Sequence, residues 1–469
     1  MTLSILAAAQ EQETRPFLVA PERTLSFKQV AERVVGAMGW LQENGVSAGQ
    51  ETPFALTASN ELRSIVVLLA LLELGVPALL LHPKWTEIER ARVLKRAEVA
   101  VAPLPDEFGS FRSSTLPLAS GTHDPERTVA VVFTSGSSGS PRGVCLSRRA
   151  FLAAAEASRE RLDFRTDDRW LLSLPLAHVG GLSILTRCLL ARKPLVLPSL
   201  RATEGGFRPA EMLKLIGDCK ISLLSLVPTQ LLRLVESSFR CPPQVRAVLL
   251  GGARPAPQLL KRAARAGWPI HRTYGLTEAC SQVTLEAAPS DPEDGSDGTP
   301  LDGTEIRIAA NGQIAIRSRT LLSGYFGAET AALDQDGWFT TQDMGSIDER
   351  GRLHVQGRSD EVIISGGENV HPLEVECVLL DHPAIVNACV FGVPSEEWGE
   401  EVAVAIVARP GHSLADLPTW LEARFSAFRR PRRATLVNEL PTTASGKLSR
   451  LRARQMFSGE CRPWSELDL

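Results

Sequence analysis

The stretch Val131-Val132-Phe133-Thr134-Ser135-Gly136-Ser137-Ser138-Gly139-Ser140-Pro141-Arg142-Gly143-Val144 decides how the rest of the chain is read. An apolar run stops abruptly in hydroxyls and glycines, as expected of a buried strand that opens into an anion-binding loop. Gly136, Gly139 and Gly143 permit positive φ and close backbone approach, and Thr134, Ser135, Ser137, Ser138 and Ser140 supply hydroxyl donors. Arg142 adds a positive charge. A serine- and glycine-rich linker has the same composition, but here apolar Val129 to Phe133 leads in and a helix-compatible segment, Val144 to Ala154, leads out. The Gly-Lys-Ser/Thr ending of a Walker loop is absent from this stretch.

Outward from that loop, the chain of 469 residues is long enough for more than one core, because single domains rarely exceed about 250–300 residues. A formal charge of -3 gives no basic excess for a nucleic-acid backbone, so polymeric nucleic acid is not expected as a partner. The 8 cysteines are scattered without metal-ligand spacing and read as reduced thiols, which suits the cytoplasm. No signal segment is expected at Met1 to Leu18, and the apolar run Ser64 to Leu81 is broken by Glu73, Gly75 and Pro77. That run reads as a core helix, a turn and a buried strand, with no membrane span.

Strands and helices alternate along the first half. The spacing predicts a helix in Leu25–Glu43, a strand in Thr52–Ala58, a helix in Glu61–Leu74, a strand in Pro77–His82 and a helix in Thr86–Ala97 capped by Thr86. Further strands are expected at Trp170–Leu176, Ile221–Val227, Ala247–Leu250 and Ile270–Arg272, with helices at Leu182–Leu190 and Pro257–Ala266. This is the pattern of mainly parallel sheets covered on both faces. From Thr304 to Gln356 the apolar period falls towards two, implying a smaller antiparallel region. Strands at Val386–Val393 and Glu401–Ala408, with helices at Leu373–Leu380 and Leu414–Ser426, make a small α+β unit at the end.

Several strand ends carry chemistry. His178 precedes Gly180 and Gly181, which leave space beside it, and Arg187 sits among apolar residues of the next helix, where a cation needs a partner. Gly251, Gly252 and Ala253 open a second bare-backbone loop after a strand. Tyr274 is by default a core ring, but its place before Gly275-Leu276-Thr277-Glu278 suits stacking against a purine. Glu278 offers hard oxygens for Mg2+ and Thr277 a donor for phosphate.

The serine-rich loop and the block Thr273 to Glu278 resemble the adenylate-forming enzymes: acyl- and aryl-CoA ligases, luciferases and peptide-synthetase adenylation domains. Their motifs occur in family order from about Leu25 to Leu451. The resemblance implies a large N-terminal domain over residues 1–358, binding ATP and the acid, and a mobile lid over 359–469. It further implies that Asp343 holds the ribose hydroxyls, Arg358 lies near ribose and phosphate, Asp360 is the hinge, and Gly366 and Gly367 line the coenzyme A path. Lys447, in Pro441-Thr442-Thr443-Ala444-Ser445-Gly446-Lys447, corresponds to the lysine that assists adenylation. Two departures stand out: Arg142 replaces the usual lysine, and Gln342 the usual glycine before the aspartate.

The activity implied is ATP- and Mg2+-dependent activation of a small carboxylic acid, followed by transfer to coenzyme A. Four stretches, Leu174 to Ile184, Ser225 to Gln230, Leu249 to Ala253 and Tyr274 to Thr284, are similar to the o-succinylbenzoate–CoA ligases of menaquinone biosynthesis. That substrate has a second carboxylate, for which Arg187 is the expected cation, with His178 lining the acyl pocket. Alternatives are another aryl- or medium-chain acyl-CoA ligase, an adenylation domain that loads a carrier protein, and a silent relative. The basic group Arg424, Arg429, Arg430, Arg432 and Arg433 is expected to be a solvated face, or else a dock for coenzyme A phosphates. Oligomeric state stays open, a homo-oligomer included.

Overall fold

In the computed structural model, Thr128–Thr134 is a strand bonded along both edges, parallel to Ala78–Leu81 and antiparallel to Arg142–Ser147. The structure describes residues 2–467 except 103, 106–123, 135–141, 201–207, 238, 293, 329–331 and 444–447. Ser135, Gly136, Ser137, Ser138, Gly139 and Lys447 therefore lie outside the described residues.

The exit from the serine-rich loop differs from expectation. Residues Arg142–Ser147 form a strand, and the helix, Arg148–Leu162, begins only afterwards. Val144 and Leu146 alternate into the core with full burial, which selects the extended period, while the Ser147 hydroxyl accepts from the Ala150 amide and starts the helix. The anion loop thus joins two antiparallel strands rather than a strand and a helix.

Gly324–Tyr325 and Phe54–Thr57 complete this sheet at its two edges, giving five strands. A second sheet has seven, in the order Ile270–Arg272, Ala247–Leu250, Leu223–Leu226, Trp170–Leu171, Leu195–Val196, Pro16–Val19 and Thr24–Ser26. All its pairings are parallel except the last. Alternate residues feed two cores: Leu195, Leu223 and Leu249 join the central one, whereas Val196, Leu224 and Val248 pack beneath helices Pro209–Asp218 and Pro257–Arg265. The mainly parallel, doubly covered architecture read from the sequence is the one observed.

Helix Leu62–Leu74 is buried nearly all round and stops at Gly75, whose φ of 67° ends it in the left-handed region. Its Glu73 carboxylate accepts from the Ser4 hydroxyl and the Ile5 amide, tying down the first turn of helix Ile5–Glu11. Thr86 caps helix Glu87–Ala97 in a capping box with Glu89. Among the described residues no helix is long and apolar enough to cross a membrane.

A four-stranded antiparallel sheet follows, Thr304–Ile308, Gln313–Ser318, Phe339–Ile347 and Leu353–Arg358. The C-terminal sheet is built on the long pair Ile385–Ser395 and Gly399–Ala408, with Arg433–Leu436 parallel to the latter. Its own core contains Val390, Val404, Ile406 and Leu417.

Two elements are shorter than expected. The helix predicted over Leu414–Ser426 spans Leu417–Glu422, and its end tightens where the Arg424 amide bonds the Leu421 carbonyl. The strand predicted over Trp170–Leu176 ends at Leu171. Beyond it Asn60 clamps the chain, donating to the Leu174 carbonyl at 2.9 Å and accepting from the Leu176 amide at 2.8 Å.

That clamped loop explains the next glycines. A Cβ on Gly181 would lie 2.2 Å from the Pro175 carbonyl oxygen, and one on Gly180 would meet the Leu174 side chain at 2.9 Å. The glycines admit backbone against the start of helix Val179–Ala191, rather than leaving open space beside His178. Gly181→Ala is accordingly expected to cost more than about 2 kcal/mol and to lower the melting temperature, read by differential scanning calorimetry.

Candidate active site

The loops after the parallel strands and the four-stranded sheet meet at the two tyrosines of the chain. Strand Ile270–Arg272 ends in Thr273, against which Gly251 packs so closely that a Cβ there would lie 2.9 Å from the Thr273 methyl. Next, Gly275–Leu276 pairs with Ser281–Gln282, and a Cβ on Gly275 would fall 1.8 Å from the Ser281 carbonyl oxygen, so only glycine fits. This fold of the chain presents Tyr274 on one side and the short 3-10 turn Thr277–Ala279 on the other.

Tyr274 donates its hydroxyl to Asp343 Oδ2 at 2.6 Å. Asp343 lies on strand Phe339–Ile347 directly opposite Arg358, with Oδ1 and Nη1 3.6 Å apart. Arg358 in turn holds Asp360 through two bonds of 2.9 and 3.0 Å. Gln342 does not disturb the strand: its side chain points outward and accepts from the Ser359 hydroxyl at 2.9 Å, adding a bond to the segment that contains Asp360.

On the other side, Glu278 Oε1 accepts from the Tyr325 hydroxyl at 3.1 Å. Arg142 lies over the Tyr325 ring at 5.4 Å, and the Thr134 hydroxyl bonds the Arg142 carbonyl at 3.4 Å. Two runs of contacts result, Thr134–Arg142–Tyr325–Glu278 and Tyr274–Asp343–Arg358–Asp360, joined through the backbone between Tyr274 and Glu278. Tyr325 was not singled out from the sequence; its signal was the rarity of tyrosine and its place beside Gly324.

Arg187 is buried on helix Val179–Ala191 and pairs with no carboxylate among the described residues. Its Nη2 reaches only the Ser281 hydroxyl at 3.5 Å, and its guanidinium lies 5.4 Å from the Trp170 ring centre. Burial pushes its pKa down to about 10, which still leaves it charged near neutrality. His178 stands just before this helix with its ring 4.9 Å from that of His82. His82, also missed, follows buried strand Ala78–Leu81 and accepts the Lys84 amide on Nδ1, and burial lowers its pKa.

Gly366 and Gly367 form the positive-φ turn between Ile363–Ser365 and Glu368–Val370, where Gly366 abuts Trp398. The basic group is largely engaged already: Arg429, Arg430 and Arg433 pair with Glu374, Glu422 and Glu401, while Arg424 and Arg432 stack on Trp420 and Trp398. It is not a bare solvated face.

The donor set suits a nucleotide that brings its own metal ligands. No group of three or more His, Cys, Asp or Glu among the described residues can enclose a cation. Glu278 makes no ion pair among them either, so one carboxylate oxygen is left for a magnesium ion whose other ligands are phosphates and water.

Such a site defines a class, and the sequence agrees. Residues 5–326 match the AMP-binding enzyme family and residues 374–447 its C-terminal domain, and the chain belongs to this family. The 2-succinylbenzoate–CoA ligases of Bacillus mycoides and Bacillus cereus are 33% and 34% identical to it, over 93% of this chain and 94% of theirs. Among solved structures, o-succinylbenzoate CoA synthetase (MenE) from Bacillus subtilis in complex with the acyl-adenylate OSB-AMP superposes with a TM-score of 0.86 at 29% identity, covering 97% of this chain and 98% of the other. The same enzyme with ATP and magnesium gives a TM-score of 0.83 at 29% identity, covering 96% and 98%.

Burial and the neighbouring carboxylates raise the pKa of both tyrosines, Tyr274 through Asp343 and Tyr325 through Glu278. A raised phenol favours the neutral form in the folded state, so stability falls as pH climbs past the ordinary tyrosine value near 10. An absorbance titration of the native protein is expected to show no tyrosinate near pH 10, with both phenols appearing together on alkaline unfolding.

Proposed function

We propose that this chain is an ATP-dependent acid–CoA ligase that converts 2-succinylbenzoate to its coenzyme A thioester by way of an acyl adenylate. The observation that carries the reaction class is the pair of contact runs between Thr134 and Asp360, which gathers nucleotide-binding groups from five distant stretches. Asp343, a carboxylate at the meeting point of Tyr274 and Arg358, accepts from the ribose hydroxyls, and the Tyr274 ring flanks the base. Gly251, Gly252 and Ala253 offer backbone beside it, and Gly275 and Thr277 donate near the phosphates. The loop residues Ser135, Gly136, Ser137, Ser138 and Gly139, with Thr134 and Arg142, receive the pyrophosphate portion. Glu278 holds magnesium, which offsets phosphate charge when bound.

A carboxylate oxygen of the acid attacks the α-phosphorus, and the bond to pyrophosphate breaks. Lys447 assists by placing an ammonium where negative charge gathers on the α-phosphate and the incoming oxygen. The coenzyme A thiol, reaching the site past Gly366 and Gly367, then attacks the acyl carbon and AMP leaves. We assign residues 1–358 to nucleotide and acid binding and 359–469 to the lid, turning about Asp360 between the two steps. A cytoplasmic setting agrees with 8 free thiols.

Substrate choice rests on Arg187. A buried guanidinium whose polar contact is a single hydroxyl at 3.5 Å is costly, and the second carboxylate of 2-succinylbenzoate supplies the missing charge. His178, at the start of the same helix, lines the acyl pocket. Arg187→Ala is expected to raise KM for 2-succinylbenzoate about a hundredfold, with little effect on an acid that lacks the second carboxylate; equal losses on both would refute the assignment. For Lys447, the expectation is a split between half-reactions. Lys447→Ala should slow pyrophosphate release by about a hundredfold or more while thioester formation from supplied acyl adenylate, followed by mass spectrometry, continues.

A further inference from the structure

We infer that Tyr325 is a positioning residue for adenylation: its hydroxyl fixes Glu278 in the orientation that receives magnesium–ATP, and its ring carries Arg142 at the mouth of the phosphate loop. The inference rests on the reading of Glu278 and Arg142 given above and adds a residue to it. Strand Gly324–Tyr325 pairs antiparallel with Arg142–Ser147, Tyr325 lying opposite Val144, so the backbone itself sets the ring beside Arg142. The neighbouring segment is stapled at several points. Leu322 donates its amide to the Glu278 carbonyl at 2.8 Å, Ser323 to Cys145 at 3.0 Å and Phe326 to Gly143 at 2.7 Å.

These bonds tie the turn that bears Glu278 to the hairpin that bears Arg142, and Tyr325 is the side chain that spans between them. Its hydroxyl occupies Glu278 Oε1 and leaves Oε2 to a cation. A carboxylate held in one rotamer loses less freedom on binding metal than a mobile one. The ring also accounts for the arginine at position 142, because a planar guanidinium lies on an aromatic face better than an ammonium does.

The test uses the full-length protein and isothermal calorimetry of ATP with magnesium and, separately, with EDTA. Tyr325→Phe keeps the ring and the stacking on Arg142. It is expected to weaken ATP binding about tenfold with magnesium and leave the EDTA value unchanged. Tyr325→Leu, which also removes the platform, should weaken binding in both conditions. Thioester formation from supplied acyl adenylate should persist in Tyr325→Phe. Wild-type affinity of Tyr325→Phe in magnesium, or an equal loss in EDTA, would overturn the inference. Glu278→Gln separates the two levels of argument. If its ATP affinity keeps the full magnesium dependence, the reading of Glu278 fails and takes the inference with it; if Glu278→Gln loses that dependence and Tyr325→Phe does not, only the inference falls.

Discussion

One hydrogen bond, from the Tyr274 hydroxyl to Asp343, holds together the two halves of the nucleotide-binding region. Tyr274 stands at the end of the seven-stranded parallel sheet, whereas Asp343 belongs to the four-stranded antiparallel sheet. At 2.6 Å, between a buried phenol and a carboxylate, it is a charge-assisted contact of the kind worth about 1.5–3 kcal/mol. Directly after Tyr274, glycine at 275 lets the Ser281 carbonyl approach to a distance no side chain would tolerate. A local steric permission therefore shapes the turn from which Tyr274 makes a long-range contact.

Charge is distributed around that bond in a way that separates structural from ligand-directed groups. Buried or half-buried ions elsewhere are matched within the protein: Arg246 with Asp168, Arg272 with Glu286, and Arg450 with Glu361 and Glu376. Others are held by fixed protein dipoles, Arg148 by the Leu3 and Leu72 carbonyls and Asp297 by the Val355 amide, whereas Arg187 reaches only the Ser281 hydroxyl at 3.5 Å and Glu278 Oε1 only the Tyr325 hydroxyl at 3.1 Å. Since an unmatched buried charge opposes folding, its retention makes sense where a ligand completes it. A dicarboxylate substrate and a magnesium–nucleotide complex have the two charges required.

Much of this was legible in the sequence because period, caps and strand ends are local signals. Strands Ala247–Leu250 and Ile270–Arg272 and the Thr86 cap emerge as read. The failures share a cause. Val144 to Ala154 looks helical in isolation, yet pairing with Thr128–Thr134 draws its first residues into a strand. Trp170 to Leu176 looks like one strand, yet Asn60, far back in the chain, captures its second half. Tyr325 and His82 escaped notice for the same reason, since neither lies in a motif whose composition announces chemistry; their meaning comes from Glu278 and His178, contacts made only on folding.

The proposed hinge shows how the same bonds constrain motion. Asp343 touches Arg358, Arg358 grips Asp360, and Gln342 holds Ser359, so the strand that carries Asp343 also anchors the start of the C-terminal region. One residue further on, Glu361 bonds Arg450 at 3.1 Å, and Arg450 is buried against Glu376 at the first position of helix Arg450–Phe457. Rotation between these two anchors has only the few bonds around Asp360 in which to occur, because the buried Arg450 network moves as one body with the C-terminal core. The strand that bears Asp343 and the buried Arg450 network are in this way linked through one short turn, residues Ser359–Glu361.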